Sequence, residues 1–270
     1  MPEDQLVRNT PEPRTRESLA RDVRNLGVVP GQIVLVHSSL NAVGWVAGGP
    51  VAVIQALLDA VTDAGTLVMP THSSDNTDPA GWGHPPVPQA WHQVIRDHMP
   101  AFDPVMTPAR GMGVIAETFR SWPGVVRSNH PTSSFAALGA QAGAITRDHA
   151  LHHSLGELSP LAVMYDLSAM VLLLGVGYDR NTSFHLAEYR VPGGQRVDQA
   201  SAILKDGVRV WQTYRDLDLD SDPFPTIGTA FEETGAVRTG QVGSATARLF
   251  PQRDAVDFAQ QWLIRQRAGG

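Results

Sequence analysis

No cysteine occurs in the 270-residue chain, which excludes disulfides, thiolate metal sites and a thiol nucleophile. No apolar run approaches the roughly 18 residues that a membrane span requires. The longest, Met170 to Val176, has the size of a strand. The opening MPEDQLVRNTPEPRTR carries mixed charges with no apolar segment behind them, so no secretory signal is read there and the cytoplasm is the expected compartment. Basic charge is in short supply. With 21 Lys and Arg against 27 Asp and Glu, the net charge of −6 offers no field for nucleic acid and favours a cationic ligand. The glycine-rich loops of dinucleotide folds and P-loop enzymes, the Gly-x-Ser-x-Gly elbow and His-Glu-x-x-His are all missing.

What remains is 42% apolar and 18% charged, the balance of a soluble globular protein whose length suits one domain over residues 1–270. Leu19, Val23 and Leu26 share one face of a helix that Thr15 caps and Gly27 stops. Ile33 to Val36 is apolar on both faces, as a buried parallel strand would be, and runs into His37-Ser38-Ser39. A helix opening near Pro50 carries Val53, Ile54, Leu57, Leu58 and Val61 at helical spacing. The next buried strand, Thr66 to Met69, runs into Thr71-His72-Ser73-Ser74-Asp75. Strands alternating with helices, each strand ending in polar residues, predict an α/β fold with a central mixed β-sheet flanked by helices and a site at the strands' C-terminal edge.

Residues 72–110 are rich in Pro, Gly, Trp and His and predict a lid, ordered by Trp82 and Trp91, with a short helix near Gln89 to Asp97. Met112 to Phe119 reads as a helix and Phe135 to Leu138 as a short strand. Met170 to Val176 is the clearest strand, followed by Gly177-Tyr178-Asp179-Arg180-Asn181 and a helix that Thr182 or Ser183 caps. Ala202 to Val210 reads as a hairpin turning at Asp206-Gly207, which would join the sheet late in the chain and complete the lid subdomain. Asp216, Asp218, Asp220 and Asp222 read as a solvated loop, and a helix from Asp254 buries Val256, Phe258, Ala259, Trp262 and Leu263.

The densest chemical signal is Asn181 to Tyr189. His185 and Glu188, three residues apart on one helix face, pair an imidazole able to accept a proton near neutral pH with a carboxylate able to orient it. The plain alternative is a solvated His and Glu. His72 and Asp75 after a strand leave open a mononuclear metal hydrolase completed by His185, and His37-Ser38-Ser39 leaves open a strand-end hydroxyl nucleophile. Ser38, Ser39, Thr107, Ser133 and the backbone of Gly111 to Gly113 could give uncharged phosphate donors, with Arg110 and Arg127 as charged ones.

Eight stretches in one order carry a resemblance: Val36 to Leu40, Gly65 to Thr71, Thr107-Pro108 through Met112-Gly113, Arg127 to Pro131, Ser159 to Leu161, Leu173 to Gly177, Asn181 to Glu188, and Val242-Gly243 through Ala247 to Phe250. On these the chain resembles the aminoglycoside 3-N-acetyltransferase family, which is unrelated in fold to the GNAT acetyltransferases. The resemblance implies acetyl transfer from acetyl-CoA to the 3-amino group of a deoxystreptamine ring, conferring antibiotic resistance, with His185 as catalytic base and His37 in support. It implies coenzyme contacts at Ser38, Ser39, Met106, Thr107, Met112, Gly113, His130 and Ser133. Acidic contacts to the cationic drug would fall on Asp75, Asp179 and Glu188, the last either binding drug or orienting His185. Direct transfer in a ternary complex needs no acyl-enzyme and no metal, in a monomer or homodimer with no nucleic-acid or membrane partner. The rival readings are an N-acyltransferase for a non-aminoglycoside amine, the metal hydrolase, and a silent binder of cationic sugars.

Overall fold

Thr15 opens the helix Arg16–Leu26 through a reciprocal capping box: its Oγ1 accepts the Ser18 amide and Ser18 Oγ accepts the Thr15 amide. Gly27 closes that helix at φ 120°. The computed structural model describes residues 2–268; Met1, Gly269 and Gly270, the ends of the domain expected over 1–270, lie outside the described residues. The strands are β1 (Ile33–Ser38), β2 (Thr66–Pro70), β3 (Val126–Arg127), β4 (Phe135–Gly139), β5 (Met170–Leu174), β6 (Arg196–Lys205), β7 (Val208–Leu217), β8 (Arg238–Val242) and β9 (Ala245–Pro251). Seven of them form one sheet in the order β3-β4-β2-β1-β5-β9-β8. β1 runs parallel to both β2 and β5, while β4, β3, β9 and β8 add antiparallel, so the sheet is mixed as predicted.

Residue alternation divides the core into two layers. Val34 and Val36 of β1, Leu67 and Met69 of β2, and Leu172 and Leu174 of β5 face the helices Arg16–Leu26, Gly49–Val61 and Gly113–Arg120. Leu35, Val68, Val171 and Leu173 face the helices Pro160–Asp166, Ser183–Arg190, Phe224–Glu232 and Gln252–Ala268. Burial on both faces is why these strands read as unbroken apolar runs. His37 follows Val36 by one residue, so the two-residue period turns it toward the second layer, where the helix Ser183–Arg190 begins.

The chain passes from β1 to β2 on one side and later returns with β5 on the other. That reversal opens a crevice at the C-terminal ends of β1 and β5, the place where open α/β sheets bind ligands. Gly175 leads the chain out of β5 at φ +69°, and a side chain there would bring its Cβ within 2.3 Å of Ala42 Cβ. Only glycine allows that path.

Two predictions about the later chain need correction. Hairpin β6–β7 forms, turning at Asp206 (φ 52°) and Gly207 (φ 76°), but it stays a separate two-stranded ribbon. The strands that join the sheet late are β8 and β9, which the sequence analysis did not separate out. The ribbon packs on the lid, completing the expected lid subdomain: Phe102 N–H donates to Ala202 O, Ser201 Oγ to Asn76 O, and Arg209 Nε to Met99 O. Asp216 is also no solvated residue. It is buried, accepting from Ser154 N–H at 3.0 Å and from Tyr189 OH at 2.5 Å.

The lid is ordered, though largely by other residues than its tryptophans. Trp82 Nε1 donates to Thr77 Oγ1, but Trp91 is exposed. The Arg96 guanidinium grips both oxygens of Asp78. Arg127, from β3, donates to the carbonyls of Thr71, Pro104 and Thr107 and to the hydroxyls of Ser73 and Ser134, and its guanidinium lies 4.9 Å over the Phe102 ring. No helix among the described residues is long and apolar enough to cross a membrane.

Candidate active site

The helix Ser183–Arg190 starts six residues past Gly177, and its first turn delivers His185 to the crevice. Neither Thr182 nor Ser183 caps it with a side chain; Asn181 Oδ1 accepts the Ser183 amide instead. His185 and Glu188, one turn apart, meet at 2.5 Å between Nδ1 and Oε2. Glu188 is 6% exposed, and its second oxygen accepts the Asp220 backbone N–H at 2.9 Å. With both oxygens engaged behind the ring, Glu188 does not face the cavity. Phe224 supports the other side of the imidazole, its ring centroid 4.7 Å away. An imidazole whose Nδ1 proton is held by a carboxylate presents Nε2 as its free, basic nitrogen.

His185 lines a cavity of about 490 Å³ at the ends of β1 and β5. The same cavity is walled by His37, Ser38 and Ser39 at the end of β1 and by Gly111, Met112 and Gly113 at the start of the helix Gly113–Arg120. Gly111 and Gly113 sit at φ 74° and 82°. Nothing lies within 4 Å of a Cβ built on Gly111, so the backbone there is bare toward the opening. Asp179 and Arg180 stand together at the rim, 3.0 Å apart.

The other expected residues fall elsewhere. Asp75, Met106 and Thr107 line a second cavity of about 920 Å³ within the lid, with the apolar side chains of Trp82, Val87 and Met99. The segment from Met106 to Gly113 walls both cavities, with Arg110 beside the second and Gly111 beside the first. Asp75 pairs with Arg110 at 3.2 Å. His130 is fully buried; its Nδ1 accepts the Ser133 amide at 3.0 Å and its ring stacks on His149. Ser133 lies beside it, outside the walls of both cavities. Arg127 holds the lid and has no free edge for a phosphate.

Several imidazoles under the site are kept neutral by burial. Desolvation lowers His37 to about 3, His72 to about 3 and His130 to about 4, with neighbouring histidines adding to the effect on His72. His37 Nε2 lies 3.4 Å from Thr182 Oγ1, joining the end of β1 to the start of the His185 helix. Among the described residues no three His, Asp or Glu side chains are grouped to hold a metal ion, so His72, Asp75 and His185 do not converge as ligands. Sequence reading missed Asn181 as the cap, Phe224 as the ring support and the Asp220 amide. None of these three contacts follows from helical spacing around His185.

The description of the matching family model, aminoglycoside 3-N-acetyltransferase, applies over residues 35–264. The chain belongs to this family. The SPbeta prophage-derived aminoglycoside N(3')-acetyltransferase-like protein YokD of Bacillus subtilis (strain 168) is 48% identical over 96% of both chains. Its crystal structure superposes with a TM-score of 0.98 over 99% of each. Aminoglycoside N(3)-acetyltransferase VII of Streptomyces paromomycinus is 39% identical, covering 97% of this chain and 96% of its own. The structure of AAC-IIIb as a binary complex with CoASH matches at TM-score 0.84 and 33% identity, over 94% of this acetyltransferase-family chain and 98% of its own. The eight stretches that carried the resemblance start at Val36 and end at Phe250, inside or at the border of the matched span.

Proposed function

We propose that this chain acetylates the 3-amino group of a deoxystreptamine-type aminoglycoside from acetyl-CoA, with His185 as general base. The observation that carries the reading is the His185–Glu188 pair at 2.5 Å, which leaves Nε2 as the free nitrogen of a ring that lines one cavity with Ser38, Ser39 and Gly113. Acetyl-CoA, when bound, supplies an acetyl carbonyl already activated as a thioester. The donor set suits it: the Ser38 and Ser39 hydroxyls and a helix start with bare glycine backbone. We assign Ser38, Ser39, Met112 and Gly113 to the coenzyme and leave His130 a packing role.

The acceptor amine must be neutral to attack. His185 Nε2 takes its proton as the carbon–nitrogen bond forms, Glu188 steadies the positive charge that then sits on the ring, and the proton passes to the sulfur as the thioester C–S bond breaks and the coenzyme leaves as CoASH. General-base help of this kind contributes roughly 10²- to 10⁴-fold. His37, buried and neutral, cannot compete for the proton; it supports the wall and, through Thr182, the helix start. A sequential ternary complex is the kinetic scheme this geometry supports, with reaction in the cytoplasm where acetyl-CoA is made available.

The test is direct. Incubation with acetyl-CoA and kanamycin or gentamicin, followed by mass spectrometry and fragmentation, shows a single added acetyl group on the 3-nitrogen. Absence of that product with every aminoglycoside, alongside turnover of a simpler amine, moves the chain to the non-aminoglycoside acyltransferase reading.

A further inference from the structure

A cleft that gathers polycations needs carboxylates with charge to spare. Among the described residues, the walls of the two cavities hold three: Asp179 on the first, Asp75 and Asp103 on the second. None is free. Asp179 faces Arg180 at 3.0 Å, Asp75 faces Arg110 at 3.2 Å, and Asp103 Oδ1 accepts the amides of Val105 and Met106, both at 2.8 Å. Glu188 is occupied by His185 and the Asp220 amide.

The two arginines are unlike the others near the site. Arg127 and Arg96 are tied into the lid by several hydrogen bonds, which explains them structurally. The side chains of Arg110 and Arg180 have their single aspartate as partner and are 61% and 63% exposed on the cavity rims. Exposed pairs of this kind add little to folding. What they change is the field over the opening: one positive charge for one negative at the first cavity, and one for two at the second.

We propose that Arg110 and Arg180 are specificity-determining residues that set an upper limit on the charge of the acceptor. A densely cationic ligand must displace a guanidinium before it can use Asp75 or Asp179, whereas an amine with one or two further charges and a hydroxylated or apolar body enters without that exchange. The apolar wall of Trp82, Val87 and Met99 suits such a body. This deepens the reading above and rests on it, assigning the rims of both cavities to the acceptor.

The experiment is equilibrium titration of four-amine kanamycin A and two-amine 2-deoxystreptamine into the wild type, Arg110→Ala, Arg180→Ala, and the charge-retaining Arg110→Lys and Arg180→Lys. Each alanine variant binds kanamycin A about three- to tenfold more tightly at an ionic strength of roughly 0.01 M and loses the gain near 1 M. The 2-deoxystreptamine constant moves much less, and the lysine variants follow the wild type. Unchanged or weaker kanamycin binding in both alanine variants, equal gains for both ligands, or no binding by any protein overturns the proposal. Acetylated product is scored separately: tighter binding without product in any variant supports the charge limit while removing the acetyltransferase reading.

Discussion

Glu188 Oε2 sits 2.5 Å from His185 Nδ1 while its other oxygen accepts the Asp220 amide at 2.9 Å. The carboxylate is held at both ends and the imidazole is held by the carboxylate, so the ring has one orientation and one favoured tautomer. This double anchoring makes the pair directly testable.

His185→Ala removes the base and lowers kcat by roughly two to four orders of magnitude. It also lowers the melting temperature, because the buried Glu188 Oε2 loses its partner, so circular dichroism at the assay temperature checks that the variant is folded. Glu188→Gln is the sharper variant. The Asp220 N–H keeps the amide oxygen on its side, so the amide NH₂ faces Nδ1 and the proton moves to Nε2, the nitrogen that must be bare. A kcat loss close to that of His185→Ala, with KM preserved, is the expected result; wild-type kcat in Glu188→Gln counts against an orienting role.

Acid weakens the fold in a defined window. His37 and His72 are lowered to about 3 and His130 to about 4 in the folded chain, against about 6.5 for a free imidazole. Below pH 6.5 the unfolded chain binds protons that the folded one refuses, so stability present above that pH is lost as it falls toward pH 4. Calorimetric scans between pH 7.5 and 4.5 show a melting temperature that drops steeply below about 6.5; a flat profile to pH 5 contradicts the burial of neutral imidazoles.

Arg127→Met keeps most of the side chain's bulk and deletes the donors that tie Thr71, Pro104 and Thr107 together. Losing charged hydrogen bonds to buried acceptors costs about 2–4 kcal/mol. Urea denaturation measures the loss, and limited proteolysis detects new cleavage within residues 76–108. Protection equal to the wild type in that segment argues that the lid is held by other contacts.

Gly175→Ala combines a left-handed backbone with a 2.3 Å approach to Ala42 Cβ and costs about 2–4 kcal/mol. Gly193→Ala, at φ 83° with nothing within 4 Å of the added methyl, pays the backbone term alone, about 1 kcal/mol. Chemical denaturation of the two variants separates crowding from strain, and equal losses show that the path beside Ala42 is not tight.

Local pattern explains which parts of the site were readable. His185 and Glu188 are three residues apart on a helix that follows a buried strand, and helical geometry alone brings them together. Ser38, Met112, Gly113 and Asp179 reach the same cavity because their segments follow strand ends or open a helix. Asp75 and Arg110 lie 35 residues apart, and Asp216 meets Ser154 across 62; no period in the chain announces such pairs. The hairpin's turn was legible from Asp206-Gly207 and its place in the lid subdomain was expected, yet that it stays out of the sheet depends on contacts with Asn76, Met99 and Phe102, far away in sequence.

The order of residues by itself determined the alternation of buried strands and amphipathic helices, the polar ends of β1, β2 and β5, and the His-Glu spacing, because each depends on periods of two or about 3.6 residues within one segment. The packed structure decided which strands complete the sheet, which acids are already paired with arginines, and that Glu188 turns toward His185 and away from the cavity. Those outcomes arise from contacts between segments distant along the chain, where burial and charge pairing are settled only once the layers close.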